Sequence, residues 1–312
     1  MQRIGLAVGV ANQRSLAWKS TLALLQGGEF DHIIITYQNE RFQSSVDAMV
    51  KKQNEIYLKQ FQQENKNSFT AKKSISSLPL DVMNEDEVQS LFQERIPSLL
   101  YHEAKARINN GIDVEVDSDN DIQNIKLDAL IHSVAFAPAS AMKSSQEFPL
   151  LNTDKDAFDI AHATSSYSLI TLAKHALPLL SCQNDCDNNP HRSPSITAMT
   201  FLGSTRPVPN YNIMGPAKAS LESTVRGLAM ELSSPPHNIR VNAISPGPIS
   251  TLAARGIKDF ASMKRIADDK SMIQRGVSPE EVGDVVAFIA GPKASGVTGQ
   301  VWFVDGGYSS LG

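Results

Sequence analysis

The chain has 312 residues, of which 41% are hydrophobic and 20% charged, and its net charge is −4. That composition supports a packed core and excludes general disorder, and without a basic excess it argues against a nucleic-acid-binding protein. No apolar run reaches the roughly 18–20 residues that a membrane-spanning helix needs, and the opening Met1–Leu6 lacks the charged and apolar regions of a secretory signal.

In chain order, short apolar and β-branched runs alternate with helical patterns. The predicted strands are Ile4–Val8, His32–Tyr37, Ser77–Val82, Leu127–Ala135, Ser195–Phe201, Arg240–Ile244 and Gln300–Val304. Continuous apolar runs, rather than strict alternation, fit strands buried on both faces of a parallel sheet. The order predicts a single-domain, Rossmann-like, doubly wound α/β fold, with a mostly parallel seven-stranded sheet flanked by helices.

Helix ends are readable at several points. Ser15 is placed to cap a helix that runs to about Gln26 and stops at Gly27-Gly28. Long helices are expected over about Asp156–Leu180 and Tyr211–Leu232. Ser278-Pro279-Glu280-Glu281 reads as a capping box ahead of the stripe Val282, Val285, Val286, Ile289.

Three polar stretches, about 62–76, 105–125 and 181–194, read as surface insertions in one domain spanning 1–312. The second carries Glu115, Asp117, Asp119 and Asp121 but lacks the glycine and terminal glutamate of a calcium loop. The third holds the two cysteines, Cys182 and Cys186, with His191 as the nearest histidine. That set is too small for structural zinc, so no metal site is expected.

Gly9 follows the first strand directly and lets the backbone turn beside a ligand, while the helix after it offers unpaired N–H groups to a pyrophosphate. The pattern Gly9-Val10-Ala11-Asn12-Gln13-Arg14-Ser15-Leu16 is not the usual Gly-x-Gly-x-x-Gly. The second strand ends at Tyr37-Gln38-Asn39, with neither an acid for both ribose hydroxyls nor a basic pair for a 2′-phosphate, which favours NADH over NADPH. Asp81-Val82, near the end of the third strand, offers a polar and an apolar group to an adenine; a helix cap is an equal reading of Asp81.

Tyr211 and Lys218 are seven residues apart, which on a regular helix puts them on one face about 10.5 Å apart. A phenol there can donate to a developing oxyanion, and a lysine can hold a ribose and favour negative charge. With these residues in place the chain resembles the short-chain dehydrogenase/reductase superfamily, and within it the NADH-dependent enoyl-acyl-carrier-protein reductases of type II fatty-acid synthesis. The resemblance is carried by Gly9–Trp18, Thr36–Asn39, His132–Pro138, Phe158–Ser168, Leu202–Leu221, Arg240–Phe260 and Thr298–Gly307. Ordinary carbonyl reductases of the superfamily resemble Tyr-x-x-x-Lys, whereas Gly215 stands four residues after Tyr211 here. Carbonyl reduction of a 3-oxoacyl thioester, and a non-catalytic nicotinamide-binding protein, remain the alternatives.

The resemblance implies Tyr211 as hydrogen-bond donor to the enolate oxygen and Lys218 as ligand of the nicotinamide ribose. It implies cofactor contacts at Gly9, Ser15, Leu16, Gln38, Asp81, Val82, Ser133, Val134, Ala135, Ile249 and Thr251. It implies an acyl pocket at Ala137, Phe201, Tyr211, Phe260 and Met263. An acyl-carrier-protein-linked substrate is expected, with Lys258, Lys264 and Arg265 near the entrance to steer an acidic carrier. A homotetramer is expected, located in the cytoplasm of a bacterium or in a plastid or other organelle of a eukaryote. Four departures stand out: Phe201 where many members have Tyr, Lys19 in place of a small residue in the first helix, Pro216 between Tyr211 and Lys218 with a kink to be expected, and the rearranged basic rim.

Overall fold

A computed structural model describes residues 3–64, 73–109, 126–142, 148–180 and 193–311. The strands are β1 Ile4–Val8, β2 His32–Tyr37, β3 Ser74–Pro79, β4 Ala129–His132, β5 Ser195–Met199, β6 Arg240–Pro246 and β7 Val301–Val304. They form one sheet in the order β3-β2-β1-β4-β5-β6-β7, and every neighbouring pair is parallel. The direction of winding reverses between β1 and β4, so the loops leaving these strands part and open a crevice at their carboxyl ends.

The helices are α1 Leu16–Gln26, α2 Glu40–Glu64, α3 Glu85–Ser90, α4 Ile96–Asn109, α5 Ala139–Met142, α6 Lys155–His162, α7 Ser168–Leu180, α8 Met214–Leu232, α9 Phe260–Lys270 and α10 Pro279–Ala290. The period-two alternation of each strand divides the core. Ala7, Ile33, Ile35 and Ile131 pack with α1, α2 and α10 on one face. Leu6, Val8, Ile34 and Leu130 pack with α3, α4, α7 and α8 on the other. No described helix is long and apolar enough to cross a membrane.

β1 and β2 lie where the sequence puts them, and α6 and α7 join through a π turn at Ala163–Tyr167 to give the expected long helix. The Ser278 capping box is present in full. β3 is displaced by three residues toward the N-terminus: it spans Ser74–Pro79, and Asp81 and Val82 lie in the turn beyond it. Residues 74–76 therefore belong to the sheet and not to an insertion, and 105–109 continue α4. β4 and β5 are shorter than expected, ending at His132 and Met199, whereas β6 runs on to Pro246. The two cysteines, His191 and the acidic group from Glu115 to Asp121 lie outside the described residues.

Lys19 does not hold α1 away from its neighbour. Close packing is supplied from the other side by Gly283 of α10, where an added Cβ would meet the Lys19 carbonyl oxygen at 2.8 Å. The Lys19 side chain turns outward to Glu280, 2.8 Å away.

Candidate functional site

The site forms where the chain leaves β1, β4 and β5. Gly9 has φ +103, and a Cβ on it would overlap the Ser133 carbonyl oxygen at the end of β4. The amides of Gly9 and Val10 donate to the Thr36 carbonyl at 3.3 and 2.8 Å, which ties the β1 loop to the end of β2. Ser15 occupies the N-cap of α1 by its backbone, but its hydroxyl does not cap the helix. It donates to the Asn12 carbonyl at 2.5 Å, so the first turn of α1 has no side-chain acceptor of its own.

Gln38 is exposed at the tip of β2. The Asp81 carboxylate accepts from the Met83 amide at 2.9 Å, and the cap of α3 is Asn84, so Asp81 does not cap that helix. Val82 rests against the core on the sheet face of Leu6 and Leu130. Ser133, Val134 and Ala135 are half-buried along the loop after β4. The Ser165 hydroxyl, in the π turn, accepts from the Phe136 amide at 3.2 Å and holds that loop in place. Ile249 is buried after β6, and Thr251 Oγ1 accepts from the Ala254 amide at 3.2 Å.

Tyr211 is not on the helix with Lys218. α8 begins at Met214, and Tyr211 precedes it in a loop whose flanking residues Asn210 and Asn212 have φ 62 and 43. Asparagine tolerates this left-handed backbone better than most residues. Asn210 Nδ2 donates to the Lys258 carbonyl and Asn212 Nδ2 to the Ala141 carbonyl, each at 3.0 Å, so the loop is fastened on both sides of the tyrosine. The regular-helix spacing of Tyr211 and Lys218 therefore does not apply. Nor does Pro216 break the helix. It is the third residue of α8, where amides have no intrahelical acceptor to lose.

Tyr211 and Lys218 are both buried, at 7% and 3% exposure. Burial pushes the phenol above its ordinary pKa. Burial pulls the Lys218 ammonium down to about 8, against the opposing pull of the Glu222 carboxylate. Lys218 Nζ donates to the Met199 carbonyl at 2.7 Å. His132, fully buried at the end of β4, meets the Ser168 hydroxyl through Nε2 at 2.8 Å. Burial, and next the Lys218 charge, push its imidazole down to about 3.

Tyr211 shares an apolar cluster with Ala137, Phe201 and Met214. Beside it is a cleft of about 290 Å³ lined by Phe201, Leu202, Met263, Ile266 and Tyr308, among others. Phe260 opens α9 but is not among the residues lining that cleft. Lys264 is engaged with Asp268 at 2.5 Å, while Lys258 and Arg265 are exposed. The sequence reading missed Gly203, where a Cβ would overlap the Tyr211 ring, as well as His132 and Glu222. Only Glu222 left a signal, its four-residue step from Lys218 on an apolar helix face.

The family model described as enoyl-(acyl carrier protein) reductase matches residues 119–309. The chain belongs to the enoyl-acyl-carrier-protein reductase family. Its relatives include the NADH enoyl-acyl-carrier-protein reductase of Bacillus subtilis, 34% identical over 97% of this chain and 94% of that protein. The enzyme of Synechocystis is 33% identical over 97% and 95%. Among solved structures, the Bacillus cereus enoyl-acyl carrier protein reductase with NADP+ and an indole naphthyridinone superposes with a TM-score of 0.74, at 31% identity over all of both chains. The enoyl-acyl-carrier-protein reductase (NADH) of Aquifex aeolicus gives 0.73 at 29% identity, covering 99% and 97%.

Proposed function

We infer that the protein reduces trans-2-enoyl thioesters carried on acyl carrier protein, with NADH as reductant, in type II fatty-acid synthesis. The observation that carries this within the family is the seven-residue step from Tyr211 to Lys218, with both side chains buried and Lys218 held at the end of β5 by the Met199 carbonyl.

The residues present fit a dinucleotide. Gly9 leaves no side chain between the β1 and β4 loops, and the first turn of α1 has its amides free of a side-chain cap. We assign Gly9, Ser15, Leu16 and Thr251 to the phosphates, Gln38 to the adenosine, Asp81 and Val82 to the adenine, and Ser133, Val134 and Ala135 to the wall beside it. Ile249 presents its backbone to the carboxamide, and Lys218 holds the nicotinamide ribose. When bound, the nicotinamide supplies the hydride that reaches C3 of the enoyl group.

Negative charge then develops on the thioester oxygen attached to C1. Tyr211 donates a hydrogen bond to that oxygen, and its raised pKa keeps the proton on the phenol throughout the neutral range. The buried ammonium of Lys218 favours the same charge, and C2 then takes a proton from solvent, directly or through a relay, to give the saturated thioester. Ala137, Phe201 and Met263 wall the acyl chain, and exposed Lys258 and Arg265 meet the acidic carrier. The chain works as one reductase domain with surface insertions. It assembles as a homotetramer, in keeping with the exposed Trp302 and Phe303 of edge strand β7 and Phe288 of α10 against Trp302. We place it in the cytoplasm of a bacterium or inside a plastid or comparable organelle.

The test compares crotonyl and acetoacetyl thioesters with NADH and NADPH. Rapid NADH oxidation with the crotonyl thioester is expected; turnover confined to the acetoacetyl thioester would establish carbonyl reduction instead. A Tyr211→Phe variant should lose turnover while keeping NADH affinity, and undiminished turnover would remove the phenol from the mechanism.

A further inference from the structure

Glu222 has no part in the chemistry above, yet it is 5% exposed in the interior. A buried carboxylate is costly unless charge and hydrogen bonds compensate it. Glu222 is one helical turn beyond Lys218 on α8, so the two side chains share a face. No described ion pair engages it directly. The end of β5 fills the space beside both residues. Lys218 Nζ donates to the Met199 carbonyl at 2.7 Å, and the next residue, Thr200, donates its hydroxyl to Glu222 Oε1 at 2.7 Å. Thr200 is itself buried, and its amide donates to the Ile244 carbonyl at 2.8 Å, which locks it to β6. The acid and the base of one helix thus grip the last residue of β5 and the residue that follows it.

We propose that Glu222 is a positioning residue for the reduction: aimed by Thr200, its carboxylate keeps the buried Lys218 protonated and directed at the cofactor crevice. This rests on the assignment of Lys218 to the nicotinamide ribose. Beside Lys218, His132 of β4 is uncharged above about pH 3 and the Met199 carbonyl of β5 does not titrate. Glu222 is the charge that opposes the effect of burial on the lysine.

The experiment measures NADH affinity of the full-length protein by fluorescence from pH 6.5 to 10. Wild type should lose affinity through one midpoint. Lys218→Met should bind weakly and show no midpoint; a persisting midpoint in this variant would refute the ribose assignment itself. Glu222→Gln, nearly isosteric, should move the midpoint toward acid by about one pH unit, the scale set by a nearby opposite charge. Thr200→Val leaves the carboxylate in place without its donor and should give a smaller shift in the same direction. It decides the matter if Glu222→Gln does not fold. A structural clamp alone would lower stability without moving the midpoint. Wild-type midpoints in the glutamate and threonine variants, with Lys218→Met behaving as expected, would overturn the proposal and leave the ribose assignment standing.

Discussion

The rings of Phe201 and Tyr211 lie 4.8 Å apart between centroids and are inclined at 58°, so the residue ten positions before the tyrosine forms one wall of its pocket. Offset and tilted aromatic pairs are worth roughly 0.5–1.5 kcal/mol beyond their buried area. A phenol at position 201 is therefore not needed to fix the Tyr211 ring: the apolar face of Phe201 does so.

Gly203 also borders the Tyr211 ring. A Cβ there would overlap the Tyr211 ring and approach its Cε1 at 2.7 Å. Gly203→Ala should leave secondary structure intact and cut kcat by about 100-fold, since a misplacement near 1 Å at a reacting group has that effect. Steady-state rates alongside circular dichroism check it; an unchanged kcat would mean that Tyr211 does not need its observed position.

Lys218 gives two pH responses of opposite sign. Its folded pKa of about 8 lies below the unfolded value of 10.5, so between these limits the unfolded chain binds more protons. The cost of burying its charge is thus present below about pH 8 and is relieved as the pH rises toward 10.5, by about 3 kcal/mol at most. NADH affinity should fall over the same range. Urea unfolding without cofactor and NADH titration, each from pH 7 to 10, should show stability rising while affinity declines, and both slopes should vanish in Lys218→Met.

His132 acts at the acid end. Its folded pKa is lowered to about 3 from 6.5, so on acidification the unfolded chain takes up a proton first. The contribution of this residue is present above about pH 6.5 and is lost progressively toward pH 3, with a span of about 5 kcal/mol. His132→Gln should flatten the dependence of unfolding free energy on pH between 6.5 and 4.5, and an identical slope in the variant would assign the acid sensitivity elsewhere.

Arg240 is buried, and its guanidinium donates to the carbonyls of Ile289, Ala290 and Gly291 at 2.7, 3.3 and 3.0 Å. These are the last acceptors of α10, where the helix dipole favours a cation. Arg240→Met should cost about 2–4 kcal/mol in urea unfolding, because the Ile289 and Gly291 carbonyls would lose this donor while buried, whereas Ala290 keeps the Ser195 hydroxyl at 3.0 Å. A change under 0.5 kcal/mol would show that they find other partners.

Legibility in the sequence followed burial. β1 and β2 were readable because Gly5–Val8 and Ile33–Ile35 are apolar, uninterrupted and almost wholly enclosed. β3 was misplaced because this edge strand reads Ser-Ile-Ser-Ser-Leu-Pro, with only Ile75 fully buried. The apolar pattern alone therefore could not fix its ends. Gly9, Tyr211 and Lys218 were visible from spacing and resemblance. The left-handed backbone at Asn210 and Asn212, which takes Tyr211 off the helix, leaves no such mark, since asparagine occurs in any loop. Pro216 was read as an interruption because the helix was started three residues too early. Gly203 depends on a contact across eight residues of irregular chain, which no local pattern records.

The uncapped start of α1 gives the empty and the occupied protein different local stabilities. Serine usually shields its own helix end; here Ser15 spends its hydroxyl on Asn12, and the amides of the first turn depend on solvent until an anion arrives. On the proposed assignment, a dinucleotide would complete the secondary structure as well as fill the crevice. Amide exchange at Leu16–Trp18 should slow on NADH addition far more than exchange in the middle of α1, making that single turn a built-in reporter of cofactor occupancy.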